Sequence, residues 1–323
     1  MFRLLILFFV ILVSASAYAE EKGTFSLVAE NDIFHSDRYY TNGIRASWLS
    51  APNGGSSLAR KAARLFPLFP EEFTVRTSYA VGQNMYTPKS ITQEDPPEGD
   101  RPYAGWLYGS VGLIAEDGKR LDQLELSIGT VGPSSLAEPT QKAVHRLIGS
   151  DNPQGWDGQL KDEPGFILMY QRNWRSLITN GAFGFPMDVT PHMGGAFGNI
   201  FTYANTGFMV RYGQQPDLDY GPPRIQPSMP GSGFFVPENR FRWYVFAGAD
   251  GRAVARNIFI DGNTFRDSAS ADREPFVMDV QFGVVASWRE YRLGYTQVMR
   301  SREFEEQGSR YQSFGAVSFS MQM

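Results

Sequence analysis

The chain has no cysteine, only three histidines, and a formal net charge of just −4 over 323 residues. Without thiols it cannot be a disulfide-stapled secreted domain. It carries no basic block that would hold a nucleic acid, so no nucleic acid is expected as a partner. After the first 19 residues no apolar run approaches the ~20 residues that a helical membrane span requires, because Gly, Ser, Arg or Asp interrupts each one. A Gly-x-Ser-x-Gly elbow is missing as well, which leaves an activated serine without motif support. No internal repeat, low-complexity tract or linker marks a second domain.

What is present points to export and to strands. "MFRLLILFFVILVSASAYA" combines Arg3, an apolar run from Leu4 to Val13 and the small-residue end Ala17-Tyr18-Ala19. This is the pattern of a secretory signal peptide over residues 1–19, with a mature chain starting at Glu20. Residues 20–323 read as one all-β domain, a transmembrane antiparallel β-barrel of the bacterial outer membrane, for which 33 Gly and 14% aromatic residues are suited. Period-2 segments recur: in "QLELSIGTV", Leu124, Leu126 and Ile128 share one face, and Gln123, Glu125, Ser127 and Gly129 the other. Runs starting near Gly23, Tyr40, Thr74, Ala104, Arg120, Phe166, Met187, Asn205, Arg242, Pro275, Tyr291 and Arg310 predict about twelve strands, an even number as single-chain bacterial barrels have. "RWYVFAGADGRAVARNIFI" is counted there as one long strand. Arg45, Arg76, Glu125 and Arg292 fall where lumen salt bridges are expected.

Two connections stand out. "APNGGSSLARKAARLFPLFPEEF" carries a short basic amphipathic patch from Ala59 to Phe66. "PSSLAEPTQKAVHRLIGSDNPQGW" reads as a helix at the extracellular mouth, with Ser135 and Glu138 as a capping box, Pro139 in the first turn and Gly149 at the stop. Gln141 and His145 share one face of it, while Val144, Leu147 and Ile148 form an apolar face expected to pack down.

With the N-terminus in the periplasm, odd strands run outward and even strands return. The polar window "AENDIFHSDRYYTNGI", containing His35 and Asp37, then joins the first two strands at the outer rim, as do "GDRPYAGW" and the helix bearing His145. That rim faces the leaflet where lipopolysaccharide presents its sugars and upper acyl chains. A lone histidine is more often structural than catalytic, but an imidazole near a carboxylate such as Asp32 is a suitable general base. Asn31, Asp32, Thr41 and Asp151 are hard-oxygen ligands of the kind calcium takes rather than zinc. Taken alone, Asn31 and Asp32 fit a polar loop at a strand end equally well.

The segments "AENDIF", "DRYYTNGI", "GDRPYAGWLYGSVGL" and "LELSIGTVGPSSLAEPTQKAVHRLIG", with Trp156 beyond, together resemble the outer-membrane lipid A 3'-O-deacylase family. The motifs are dense from about Phe25 to Trp174, and the rest matches mainly as barrel. The resemblance implies a twelve-stranded barrel. It also implies a Ca2+-dependent hydrolase that removes the 3'-linked acyloxyacyl group of lipid A. It puts Asn31, Asp32, Thr41, Gln141 and His145 at the catalytic positions, with His145 as the base that activates water. Asn31, Asp32 and Asp151 would be metal ligands, and Lys89 and Arg101 the cations that meet the substrate. Two departures stand in the sequence: Asp151 is one methylene shorter than the family's acid, and Pro153 replaces a Tyr. The expected partners are lipid A or lipopolysaccharide within the outer membrane, with the chain acting as a monomer. The alternative reading is a non-enzymatic barrel, either a small channel or a lipopolysaccharide-binding surface protein. A broad phospholipase is a third, without a motif of its own.

Overall fold

The computed structural model describes residues 22–32, 38–55, 57–69, 72–229 and 231–323. The leader read at residues 1–19, and His35 and Asp37 of the polar window, lie outside the described residues. The strands are β1 (Thr24–Asn31), β2 (Tyr39–Leu49), β3 (Thr74–Thr87), β4 (Ala104–Glu116), β5 (Arg120–Val131), β6 (Glu163–Trp174), β7 (Ile178–Ala182), β8 (Phe185–Phe197), β9 (Phe201–Gly213), β10 (Glu238–Asn257), β11 (Phe276–Arg289), β12 (Tyr291–Ser301) and β13 (Tyr311–Gln322).

Each strand pairs antiparallel with the next in sequence, except that β6 and β7 do not pair with each other, and β1 pairs with β13. The circle closes where β6 pairs with β8 from Leu168↔Phe197 to Asn173↔His192. Past a bend at residues 175–177, β7 continues along β8 from Ile178↔Val189 to Ala182↔Phe185. β6 and β7 therefore make one bent stave, and the barrel has twelve, as the alternation predicts. Phe183 and Gly184, with φ of 50° and 83°, form the tight two-residue turn that suits the twist of a hairpin. The long strand read at residues 242–260 extends back to Glu238 and stops at Asn257, where Ile258–Asp261 turns helical.

Alternation assigns each residue a side. Tyr40, Tyr86, Trp106, Met169, Tyr203 and Phe314, drawn from strands all around the circle, meet in one buried lumen cluster. Ile44, Val81, Val111, Ile128, Leu168 and Val317, at the opposite parity, are exposed and form the lipid-facing band. The lumen is filled. Residues 214–237, between β9 and β10, fold back into it, and Asp219 accepts hydrogen bonds from Arg211 at 2.9 Å, Arg292 at 3.1 Å and Tyr244 at 2.9 Å. Higher in the same insert, Arg224 reaches Glu30 at 2.7 Å, and Arg300 donates to the Pro227 carbonyl at 2.9 Å. Of the charges expected in the lumen, Arg45 pairs with Glu125 at 2.6 Å, Arg76 lies 4.9 Å from the Phe234 ring, and Arg292 grips the insert. Removing one partner from such a buried pair costs about 3–5 kcal/mol, so these pairs lock the insert in place.

Three α-helices are described: α1 (Ser57–Leu65), α2 (Ala137–Ile148) and α3 (Ile258–Asp261). The expected helix at the extracellular mouth is α2, and Gly149 ends it at φ 73°, its N–H bonded to the His145 carbonyl. Its start differs from the expected capping box. Ser135 belongs to a 3-10 turn, and Leu136 in left-handed conformation precedes the helix with no side-chain cap. Glu138 pairs with Lys142 at 2.6 Å instead.

The helix is also turned over relative to the expectation. Ala137, Gln141 and His145 are buried, whereas Val144, Leu147 and Ile148 are exposed. The reason is its seat. Gly105 of β4 has outward parity, and a Cβ there would lie 2.3 Å from the Ala137 Cβ and 2.0 Å from Ser135 Oγ. The helix thus lies on the outer wall of the barrel, where its surroundings are lipid rather than water and an apolar outer face is favoured.

Candidate active site

The candidate site lies at the outer ends of β1, β2 and β3, with α2 seated against β3 and β4. At the end of β1, Asn31 pairs in register with Asn42 on the outward face. Asp32 follows, buried, and its Oδ2 accepts the backbone N–H of Arg38 at 2.8 Å. In β2 the register shifts between Tyr40 and Asn42, so Thr41 is the extra residue of a bulge. Bulges re-aim side chains next to functional sites. Here the Thr41 hydroxyl is turned to within 2.7 Å of the Thr87 hydroxyl at the end of β3. Asp32 and Thr41 are also joined through the backbone, Asp32 N–H to Thr41 C=O at 3.4 Å.

α2 is fixed over this corner from below and from its C-terminal side. Gln83, on the outward face of β3, donates to the Ser135 carbonyl at 2.7 Å. Met85, Ile91, Tyr103, Ala137 and Trp156 form a buried apolar cushion under the helix, with the Tyr103 and Trp156 rings 5.0 Å apart. The chain leaving the helix returns so that the Asp151 backbone carbonyl meets His145 Nδ1. A carbonyl can only accept, so Nδ1 carries a hydrogen, and in the neutral imidazole that leaves the lone pair on Nε2, the tautomer a general base needs.

Gln141 is oriented by the same logic. The Trp156 indole N–H donates to its Oε1 at 2.7 Å. An indole nitrogen only donates, so the amide NH2 is turned the other way. That Nε2 is buried without an acceptor among the described residues, at a usual cost of about 1–3 kcal/mol. An oriented, unsatisfied donor four residues from an oriented base is what a reacting carbonyl would use.

Asn31, Asp32 and Thr41 thus gather at one corner, and Gln141 and His145 share the helix above its β3 side. Two expectations change. Asp151 contributes its backbone carbonyl to His145, and its side chain is exposed rather than turned into the site. Arg101 is fully buried, 3.3 Å from Glu303 and 4.8 Å from the Tyr86 ring, and is held inward rather than exposed at the surface. Lys89 is exposed beyond the end of β3 and keeps that possibility. His192 is a lumen residue 2.9 Å from Asp250. Residue-by-residue reading gave Trp156 and Thr87 no role. The indole five positions beyond Asp151 was the available signal for the first, and Thr87, met only across the β2–β3 register, had none.

For a metal, the donors at the corner are oxygens: the Asp32 carboxylate, the Asn31 amide, the Thr41 and Thr87 hydroxyls and the carbonyls of the strand ends. No group of three or more His, Asp or Glu side chains suited to a metal occurs among the described residues. A single buried carboxylate among neutral oxygens fits a hard cation such as calcium and not a soft one.

A twelve-stranded barrel with a filled lumen, an apolar outer band and a polar site on its outer wall is the design of an outer-membrane protein that works on the membrane around it. The comparisons agree. The model of the LpxR family, described as outer membrane protein LpxR, matches residues 4–323, and the chain belongs to that family. LpxR from Salmonella typhimurium has a similar structure, with a TM-score of 0.74 at 17% identity over 92% of this chain and 99% of that one. The β domain of the Bordetella autotransporter BrkA follows at a TM-score of 0.46 and 9% identity, covering 94% of this chain and 100% of that one. No curated protein sequence matches the chain significantly.

Proposed function

We propose that this protein is a calcium-dependent lipid A deacylase that hydrolyses the ester of the 3'-linked acyloxyacyl group in the outer leaflet. Family membership supports an enzyme acting on lipid A. The observation that carries the finer reading is the pairing of two oriented groups on one buried helix face: His145 held through Nδ1 by the Asp151 carbonyl, and Gln141 held through Oε1 by Trp156. Both sit on the outer wall at the outer rim, so an ester of a membrane-embedded glycolipid would approach from the side rather than through the barrel.

His145 Nε2 takes a proton from water as its oxygen attacks the ester carbonyl carbon. Gln141 Nε2 donates to the carbonyl oxygen as charge develops there. When the tetrahedral species collapses, the acyl–oxygen bond breaks, and the imidazolium returns its proton to the leaving sugar oxygen. Water and ester become a free acyloxyacyl acid and a lipid A hydroxyl, with His145 restored. Asp32, Asn31 and Thr41 would hold the calcium ion, which when bound polarises the ester carbonyl. Lys89, exposed beyond the end of β3, would meet a lipid A phosphate. One chain supplies every group, so the reading calls for a monomer. The filled lumen speaks against the channel alternative.

The test is purified, folded protein incubated with lipid A, with products weighed by mass spectrometry with calcium and with a strong chelator. The expected product lacks one acyloxyacyl unit and forms only with calcium. Product of another ester, or full turnover in chelator, would overturn the substrate assignment or the metal role respectively.

A further inference from the structure

The basic patch between β2 and β3 has no part in the chemistry above, yet it is built on the same wall. α1 packs through Ala63 onto Phe69, Val75 and Ala115. Val75 has the outward parity of Val81, and Ala115 that of Val111, both in the lipid-facing band. α1 therefore lies outside the barrel, at the end of β3 and β4 that carries the chain termini, which is the periplasmic rim.

Its free face is mixed. Leu58 is 75% and Leu65 83% exposed, and Lys61 and Arg64 are exposed between them. Neither cation makes an ion pair among the described residues, Glu72 included, whereas Arg60 is held by the carbonyls of Asn53 and Gly55. In water two leucines so exposed on a nine-residue helix would be a liability. At a membrane surface the same pattern is an interfacial helix, its leucines in the acyl boundary and its cations among headgroups.

We propose that α1 is a docking element for anionic phospholipid headgroups of the periplasmic leaflet. Charge complementarity selects the anionic lipid, since two exposed cations at a membrane surface attract acidic headgroups specifically. The position on the outer wall supplies the leaflet. The inference is independent of the deacylase reading.

The chain lacks cysteine, so Ala62→Cys, exposed on α1, gives a single site for an environment-sensitive fluorophore. The labelled barrel goes into nanodiscs of phosphatidylcholine and phosphatidylglycerol, with bromine on the acyl chains of one lipid or the other. Quenching by brominated phosphatidylglycerol should indicate a local enrichment of at least about fivefold over bulk. That enrichment should vanish in about 1 M salt and in the Lys61→Gln/Arg64→Gln variant, with folding checked by heat-modifiable gel mobility. Equal quenching by the two lipids would overturn the headgroup preference. No quenching by either would place α1 in water or against a protein partner, and would overturn the proposal outright. The salt titration on wild-type charges decides the matter even if the double variant fails to fold.

Discussion

α1 and α2 stand on the same two strands, β3 and β4, at opposite edges of the membrane, and they bury opposite kinds of face. α1 puts Ala63 down and leaves Lys61 and Arg64 out among leucines. α2 puts Gln141 and His145 down and leaves Val144, Leu147 and Ile148 out. The difference follows from what each helix covers. α1 covers a closed apolar patch of wall, whereas α2 is itself covered by the chain that leaves it, whose Asp151 carbonyl and Trp156 indole meet His145 and Gln141. On the outside of a membrane barrel an apolar helix face is not a core face, and a buried polar face is a candidate site rather than an error of packing.

Several substitutions would break or sharpen that contrast. The largest effect is expected for His145→Ala: loss of acyl release by roughly a thousandfold, the scale of a general base, with the barrel still assembling and shifting on heat-modifiable gels. If α2's buried face were only structural, the same variant would disturb folding and leave the rate of the folded fraction intact. Trp156→Phe keeps the ring against Tyr103 but removes the N–H that orients Gln141. Its kcat should fall about tenfold, equivalent to about 1.4 kcal/mol, with KM nearly unchanged; a KM effect alone would assign Trp156 to packing. Lys89→Ala should raise KM severalfold on phosphorylated lipid A and have no effect on the dephosphorylated substrate. Asp219→Ala, inside the barrel, should lower unfolding stability by about 3–5 kcal/mol and leave turnover within about twofold, because the lumen and the outer wall are separate structures. A collapse of activity in that variant would join them.

Much of this architecture was legible in the chain itself. Period-2 alternation located the staves to within a few residues, since a strand with lipid on one side and packed lumen on the other has no other way to be written. Asn31, Asp32 and Thr41 could be placed at strand ends, and Gln141 and His145 on one helix face, because strand ends and helix spacing are local. What escaped was non-local or depended on the surrounding medium. No pattern in the sequence marks the segment between β9 and β10 as a lumen insert, and only the ion pairs of Asp219 and Arg224 with distant strands reveal it. The side on which α2 packs could not be read from its hydrophobic pattern, because that pattern does not say whether the outside is water or lipid. Arg101 is conspicuous in "GDRPYAGW", but a partner two hundred residues away, Glu303, draws it inward.

The most direct measurement is the mass profile of lipid A from cells producing the wild-type chain beside cells producing His145→Ala at equal levels of folded barrel. Lipid A should lose one acyloxyacyl unit with the wild type and keep an unaltered profile with the variant. An unaltered profile with both, or the same loss with both, would contradict an active site on the outer wall with His145 as its base.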